Sequence, residues 1–210
     1  TRTNLMKAYD PNSDTPVIKS KAVAVVGGGN VAMDGARCAM RLGADKVYIV
    51  YRRGEAEMPA RKEEQHHAKE EGVEFQNLCN PVEILGDENG RVNGLKCIRM
   101  ELGEPDESGR RSPVKSGEQF TIPCDMVISA VGEQVDAELM AANGIEMERK
   151  GPAFETNIPG VYCAGDAHRG PATVVEGIAD AARFAEAVVG APYEYEIPAQ
   201  AFITEADAIA

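Results

Sequence analysis

The sequence predicts an α/β fold in which a parallel sheet, covered by helices, carries an antiparallel insert. Three observations favour this class. The uninterrupted apolar run Ala22–Val26 is typical of a parallel strand that is buried on both faces. Three glycines and a helical pattern follow that run directly. Residues 81–124 instead contain short apolar runs separated by turn pairs such as Asn89-Gly90, which are typical of antiparallel hairpins.

The first strand is followed by an amphipathic helix and a second strand. The helix is predicted from Val31 to about Leu42, because apolar residues recur there on one face. Gly43 is a typical C-terminal stop for it. The second strand is the run Lys46–Tyr51. Together these elements form a right-handed βαβ unit.

A second helix and a third strand follow. Pro59 is suited to the opening of a helix, and the charged segment from Arg61 to Glu71 is predicted to be that helix. Gly72 ends it, and the run Val73–Phe75 is predicted to be a strand.

The insert is predicted from three short strands at 82–85, 92–102 and 120–124. The polar tract between Gly103 and Gly117 is expected to be a mobile loop tip. The run 126–132 returns to the pattern of a buried strand.

After Gly151 the strand–helix pattern recurs, with a strand predicted at 161–164 and a helix from about Ala172 to Val189. The sequence thus predicts four segments. They are a linker or leader at 1–20, a first domain at 21–150, a partial second domain at 151–192 and a tail at 193–210.

Composition and charge exclude several function classes. The 22 Lys and Arg against 34 Asp and Glu leave a net charge of −12, which disfavours nucleic acid and anionic membranes as partners. No apolar run is long enough to span a bilayer. The five cysteines include no C-x-x-C pair, so we expect reduced core thiols in a cytoplasmic protein and no metal site. The chain begins without a Met or a signal core, so we expect a piece of a longer polypeptide.

The first motif is Gly27-x-Gly29-x-x-Ala32, placed between a strand and a helix. The first glycine permits a tight turn, the second lets the backbone approach a pyrophosphate, and Ala32 lets the helix pack closely on the strand. Phosphate charge is then stabilised by the N-terminus of the helix that starts near Val31. This pattern predicts a Rossmann-like dinucleotide site. The alternative is a glycine turn needed only for packing.

Two adjacent arginines, Arg52 and Arg53, follow the second strand, where NAD and FAD sites usually carry an acid. Guanidinium groups suit the 2′-phosphate of NADPH, which they bind through charge-assisted, forked hydrogen bonds. NADPH is therefore favoured over NADH. The alternative is a solvated pair that binds Glu55 or Glu57.

A second site is indicated at Gly165-Asp166 and at Thr173-Val174. Asp166 can accept a hydrogen bond from a ribityl hydroxyl, and the helix N–H groups near Thr173 can meet the electron-rich edge of a flavin. A simple strand–helix joint is the alternative.

These motifs resemble the glutamate synthase small (beta) subunit family, an NADPH-dependent, FAD-containing oxidoreductase family. The resemblance extends over about residues 1–190 and also includes the flavin subunit of ferredoxin:NADP oxidoreductase and the amino-terminal part of dihydropyrimidine dehydrogenase. It is carried by three groups of segments, which occur in the family's order: Val23–Asp34 with Ala39–Ala44 and Tyr51–Arg53; Met58–Arg61 with Glu70–Val73; and Ala130–Gly132 with Ala164–Asp166 and Ala172–Val175.

The resemblance implies that an NADPH domain is inserted into an FAD domain and that hydride passes from NADPH to FAD. Electrons would then leave through iron–sulfur clusters, with the glutamate synthase large subunit or another acceptor as partner. The implied cofactor-binding residues are Gly27, Gly29, Asn30, Val31, Arg52 and Arg53 for NADPH, and Gly165, Asp166, Thr173 and Val174 for FAD, with Gly132 as a further member of the set.

Three departures from the family pattern affect these expectations. The family's own FAD-binding glycine motif and its cysteine-rich iron–sulfur segment do not occur in this sequence, and Gly132-Glu133-Gln134 differs from the usual Gly-Gln order. We therefore expect a carboxy-terminal fragment that is inactive alone, with iron–sulfur clusters only in the upstream part. The exposed apolar face of the last helix predicts self-association, such as a homodimer.

Neither a catalytic residue nor a metal ligand is predicted. The adjacent His66 and His67 cannot share a helix face, so solvated helix surface is favoured over metal binding. His168 near the second motif is weak evidence for acid–base catalysis. A binding module that holds a nucleotide for regulation or assembly, without redox turnover, is the alternative from another class.

Overall fold

The computed structural model describes residues 18–105, 111–147 and 154–190. The chain divides into two compact units, one ending at Gly132 and the other starting at Glu133. The domain limits expected from the sequence, which place the boundary near 150, remain a prediction.

The first unit is built on a parallel sheet of four strands in the order β3-β2-β1-β7. These strands are β1 (Ala22–Val26), β2 (Lys46–Tyr51), β3 (Glu74–Asn77) and β7 (Met126–Ser129). Strand β1 lies between two parallel neighbours, β2 and β7. Burial on both faces explains its continuous apolar run, so the expected parallel sheet is confirmed.

Two helices belong to this sheet. Helix α1 (Asn30–Arg41) buries small and flexible residues, Ala32, Met33 and Ala36, against the strands. Helix α2 (Lys62–Glu70) lies against α1, and Glu71, just beyond its end, accepts hydrogen bonds from Arg37 and Arg41 of α1. Both predicted helices are confirmed, each with its ends shifted by one residue.

The insert forms a three-stranded antiparallel sheet in the order β4-β5-β6. Its strands are β4 (Cys79–Gly86), β5 (Val92–Pro105) and β6 (Arg111–Ile122). A core that includes Ala24, Val50, Leu95 and Ile122 packs between this sheet and the parallel one. The antiparallel insert is thus confirmed.

The expectation of a loop between Gly103 and Gly117 is wrong for most of that tract. Strands β5 and β6 continue into it, pairing Glu101 with Val114 and Leu102 with Pro113. An antiparallel ladder needs only backbone partners, so a polar sequence exposed to water can still extend it. Residues 106–110 lie outside the described part.

The second unit contains helices α3 (Ala137–Ala142), α4 (Asp166–Arg169) and α5 (Val174–Val189). Helix α5 confirms the predicted final helix. The predicted strand at 161–164 is wrong, because Tyr162 makes only an isolated bridge with Glu155. An apolar run of this kind forms a strand only when a second strand pairs with it over several residues, and the described residues provide no such partner. No helix in the described ranges is long and apolar enough to cross a membrane.

Candidate functional site: a glycine turn and a buried arginine

The glycine turn is built so that two of its three members tolerate no side chain. Gly27 has φ +144°, and a Cβ there would lie 2.3 Å from the carbonyl oxygen of Ala130. A Cβ on Gly28 would lie 2.6 Å from the ring of Tyr51. A Cβ on Gly29, in contrast, would meet no atom within 4 Å. Gly27 and Gly28 therefore serve packing, and Gly29 keeps the turn open toward a ligand.

Helix α1 begins at this opening. Gly29 is its N-cap with extended backbone, and no side chain caps the first turn. Val31 is 65% exposed, whereas Ala32 is fully buried, as its packing role required. The backbone N–H groups of the first turn and the helix dipole together favour an anion at this end.

The two arginines at the end of β2 differ sharply. Arg52 is exposed, whereas Arg53 is only 8% exposed and its Nε has no hydrogen-bond partner. No ion pair to Arg53 occurs within the described ranges. A buried N–H without an acceptor is costly, and an anionic ligand would supply the missing acceptor. Both arginines follow β2, as the sequence predicts, but the sequence could not show that they differ in burial.

The segment after the arginines folds back onto the glycine turn. The backbone N–H of Ala60 donates to the oxygen of Gly28 at 3.0 Å, and the hydroxyl of Tyr51 donates to the oxygen of Glu57 at 2.9 Å. The backbone N–H of Arg61 donates to Oδ1 of Asn30 at 2.9 Å. Asn30 thus ties this segment to the helix start, a role that sequence reasoning did not foresee.

Arg61 is a candidate site residue that the sequence alone did not single out. Its side chain is 71% exposed and makes only a long ion pair with Glu64, at 3.7 Å. The hydrogen bond from its backbone to Asn30 places its chain position at the start of α1. The backbone of Arg61 therefore lies at the start of α1, while its exposed side chain reaches Glu64. The signal that could have revealed it is the string Met58-Pro59-Ala60-Arg61, one of the segments that carry the family resemblance.

Unsatisfied polar atoms are concentrated in the first unit. Five buried side-chain atoms in the described ranges lack a hydrogen-bond partner, and four of them belong to this unit. These four are Arg53 Nε, Glu57 Oε2, Gln65 Oε1 and Asn77 Oδ1. Asn77 pairs with Tyr51 at the carboxyl end of the sheet, and Gln65 donates to the oxygen of Ala60. Ligands of open α/β sheets bind at that end of the strands.

Gly132 lies beyond the end of β7. It has φ +96°, is exposed, and a Cβ there would meet nothing within 4 Å. Its position is therefore open to a ligand, and its role in cofactor binding stays a prediction.

In the second unit, the predicted flavin residues cap two helices. Gly165, with φ +64°, is the N-cap of α4, and Oδ1 of Asp166 accepts a hydrogen bond from the N–H of Ala172 at 3.3 Å. Thr173 is the N-cap of α5. Its side chain accepts a hydrogen bond from the N–H of Glu176, and the side chain of Glu176 accepts one from the N–H of Thr173. Val174 is 80% exposed. Gly165 and the first turn of α5 can still receive a ligand, but the N–H of Thr173 is already engaged.

His168 belongs to a cavity of about 840 Å³ between α4 and one face of α5. It is 4% exposed, its ring lies 5.3 Å from that of Phe154, and its Nε2 has no partner. Nearby, Arg169 binds Asp180 through two hydrogen bonds of 2.7 and 2.9 Å. This charge pair fixes α4 on α5, and sequence reasoning did not anticipate it.

The histidines and cysteines supply no further site. His66 pairs with Glu70 on the exposed face of α2. Across the described ranges, no cluster of three or more His, Cys, Asp or Glu could hold a metal ion. Cys79, Cys97 and Cys124 are buried thiols, as expected, and burial raises the pKa of Cys124 above its ordinary value.

The parallel sheet, the open glycine turn and the arginines after β2 are features typical of α/β dinucleotide-binding proteins. The model of the pyridine nucleotide-disulphide oxidoreductase family matches residues 3–181, and the chain belongs to this family. The Rossmann-like fold and the resemblance to glutamate synthase small subunits are thereby confirmed, and the family is one of NAD(P)H-dependent oxidoreductases.

Several curated relatives share this segment. The chain is 44% identical over 180 residues to the NADP(+)-dependent formate dehydrogenase subunit beta of Moorella thermoacetica, covering 82% of this chain and 25% of the relative. It is 36% identical over 200 residues to the glutamate synthase [NADPH] small chain of Escherichia coli (strain K12), covering 89% and 42%. The chain therefore spans less than half the length of these relatives.

Solved structures confirm the fold. Mycobacterium tuberculosis FprA in complex with NADPH matches with a TM-score of 0.68 at 20% identity, over 82% of this chain and 52% of that one. The thioredoxin reductase of T. acidophilum matches with a TM-score of 0.64, also at 20% identity, over 89% of this chain and 55% of that one.

Proposed function

We propose that the first unit binds NADPH and serves a flavin-dependent oxidoreductase. One observation carries this proposal: at the end of β2, beside an open glycine turn, Arg53 is only 8% exposed and its buried Nε has no acceptor. A 2′-phosphate would supply the missing acceptor, with the adjacent Arg52 as an exposed cation. The pyrophosphate would lie on Gly29 and the first turn of α1.

The residues present fit a dinucleotide. The turn excludes side chains where a backbone must pass, and the helix start has no side-chain cap to compete with an anion. Bound NADPH would supply a hydride that FAD accepts. The chain's own part is to hold the adenosine phosphate, fix the pyrophosphate and so orient the nicotinamide.

For FAD, the proposed residues are Gly165, Asp166, Thr173 and Val174 of the second unit. The left-handed backbone of Gly165 and the exposed start of α5 support this assignment. The N–H of Thr173 is already bonded to Glu176, so a flavin that uses this N–H would have to displace the Glu176 side chain.

The particular role that we propose is that of a glutamate synthase small subunit, which supplies electrons to a large subunit through iron–sulfur clusters elsewhere in the protein. Relatives named as an NADP(+)-dependent formate dehydrogenase subunit beta and an NADPH-Fe(3+) oxidoreductase subunit beta match the same segment. The common step, from nucleotide to flavin, is therefore the part best supported by this chain. In a full-length protein that carries it, glutamine-dependent oxidation of NADPH on addition of the large subunit would test the particular role.

Calorimetric titration of the chain with NADP⁺ and NAD⁺ tests nucleotide binding directly. NADP⁺ should bind markedly better, and replacing Arg52 and Arg53 by alanine should remove most of that preference. Each lost charged hydrogen bond is worth about 1.5–3 kcal/mol. Equal affinity of the unaltered chain for the two nucleotides would contradict the proposal.

A further inference from the structure

A second buried polar atom without a partner lies four residues beyond Arg53. Oε2 of Glu57 is buried and accepts no hydrogen bond, although the residue as a whole is only half-buried. No ion pair joins it to Arg53 in the described ranges, so the two opposite charges do not satisfy each other. A buried carboxylate oxygen without a donor is costly in the same way as the buried Nε of Arg53 without an acceptor.

This carboxylate lies against the backbone that follows β2. Oε2 of Glu57 lies so close above Gly54 that a Cβ there would be 2.6 Å away from it. The carbonyl of Glu57 accepts the hydroxyl of Tyr51, whose ring packs on Gly28 of the turn. The backbone of Glu57 therefore lies near the glycine turn, and its carboxylate lies beside Gly54, just after β2.

Glu55, two residues before Glu57, has a different environment. Glu55 is exposed, and its Oε1 accepts a 2.7 Å hydrogen bond from Lys69, which lowers the pKa of the carboxyl. Glu55 is satisfied within the protein, whereas Glu57 has a free acceptor oxygen beside the proposed nucleotide site.

A carboxylate near the end of the second strand is the group that accepts a hydrogen bond from the ribose 2′-hydroxyl of a nucleotide without a 2′-phosphate. We infer that this site also accepts NAD(H), with Glu57 Oε2 as acceptor for the adenosine 2′-hydroxyl. Arg53 would serve the 2′-phosphate of NADP(H), and Glu57 the hydroxyl that replaces it. The inference rests on the proposed function, because it places both nucleotides in one site.

Calorimetry on Glu57→Gln tests this assignment. The affinity for NAD⁺ should fall about tenfold, because a hydrogen bond to a charged acceptor is lost. The affinity for NADP⁺ should not fall, and the loss of a negative charge beside the position of the 2′-phosphate should raise it. Retained binding of NADP⁺ also shows that the variant is folded. The matched control, Glu55→Gln, should change neither affinity.

A ligand-side measurement needs no variant. The unaltered chain should bind the 2′-deoxyadenosine analogue of NAD⁺ about tenfold more weakly than NAD⁺ itself. Equal binding of the two would overturn the inference, as would equal weakening of both natural nucleotides in Glu57→Gln.

The outcomes also separate the inference from the proposed function. If the unaltered chain binds NADP⁺ but no NAD⁺, only the dual use of the site is wrong. If it binds neither nucleotide, the proposed function fails, and the inference with it.

Discussion

Replacing Arg53 by methionine should separate the stability of the protein from its nucleotide binding. Methionine keeps much of the length and apolar stem of arginine but removes the buried N–H that has no acceptor. Without nucleotide, the free energy of unfolding should stay the same or increase, because a buried N–H that lacks an acceptor costs about 1–3 kcal/mol, and methionine has no such group. Most substitutions of buried residues have the opposite effect.

The expected loss of NADP⁺ affinity in Arg53→Met can be calculated. Losing a charged hydrogen bond of about 1.5–3 kcal/mol weakens NADP⁺ binding by about tenfold to 150-fold. At a ligand concentration of about 100 times the original Kd, NADP⁺ stabilises the unaltered chain by about 2.7 kcal/mol. A variant with tenfold weaker binding gains only about 1.4 kcal/mol, and one with hundredfold weaker binding about 0.4 kcal/mol.

Urea unfolding with and without NADP⁺ measures both effects in one experiment. Arg52→Met is the matched control, because the exposed Arg52 should change binding without raising the stability of the free protein. A full NADP⁺ stabilisation in Arg53→Met would refute the reasoning. A loss of stability in the free variant would show that Arg53 has a partner that compensates its charge.

Three further predictions concern the turn and the helices around it. Gly27→Ala should destabilise the protein by about 1–3 kcal/mol in urea unfolding, because Gly27 has a positive φ and a side chain there would clash with a carbonyl. Gly29→Ala should leave stability unchanged and weaken NADP⁺ binding. Equal stability losses in the two variants would contradict this prediction. Asn30→Ala should lose about 1 kcal/mol through the hydrogen bond to the N–H of Arg61, and Asn30→Asp, which keeps the acceptor, should retain it; equal loss in both would argue against that bond. Glu71 accepts hydrogen bonds from two arginines, which lower its pKa from the ordinary 4.5, so its contribution is present above that pH and is lost as the pH falls through the lowered value. The stability gap between the unaltered chain and Glu71→Gln should therefore close in acid, and a gap independent of pH would contradict this.

Much of the fold follows from local patterns. The buried run of β1, the helix after the glycines and the strand ending at Tyr51 are each specified by residues close in sequence, so their order and type were predictable. The long β5–β6 hairpin was underestimated, because its exposed pairs leave no apolar signal. The strand expected at 161–164 failed because a strand depends on partners that are distant in sequence.

The candidate site divides in the same way. Residue type alone predicted the glycine turn and the arginine pair as candidate site residues, because a phosphate site needs an open backbone and cations at that spacing. The burial and the hydrogen-bond partners of these side chains depend on how the segment after β2 folds back onto the glycine turn. Only the tertiary structure therefore decided that Arg53 is buried and Arg52 exposed, that Asn30 binds the backbone of Arg61, and that Glu57 keeps a free acceptor oxygen. These are properties of side-chain environment, and environment is set by contacts between residues that no local pattern relates.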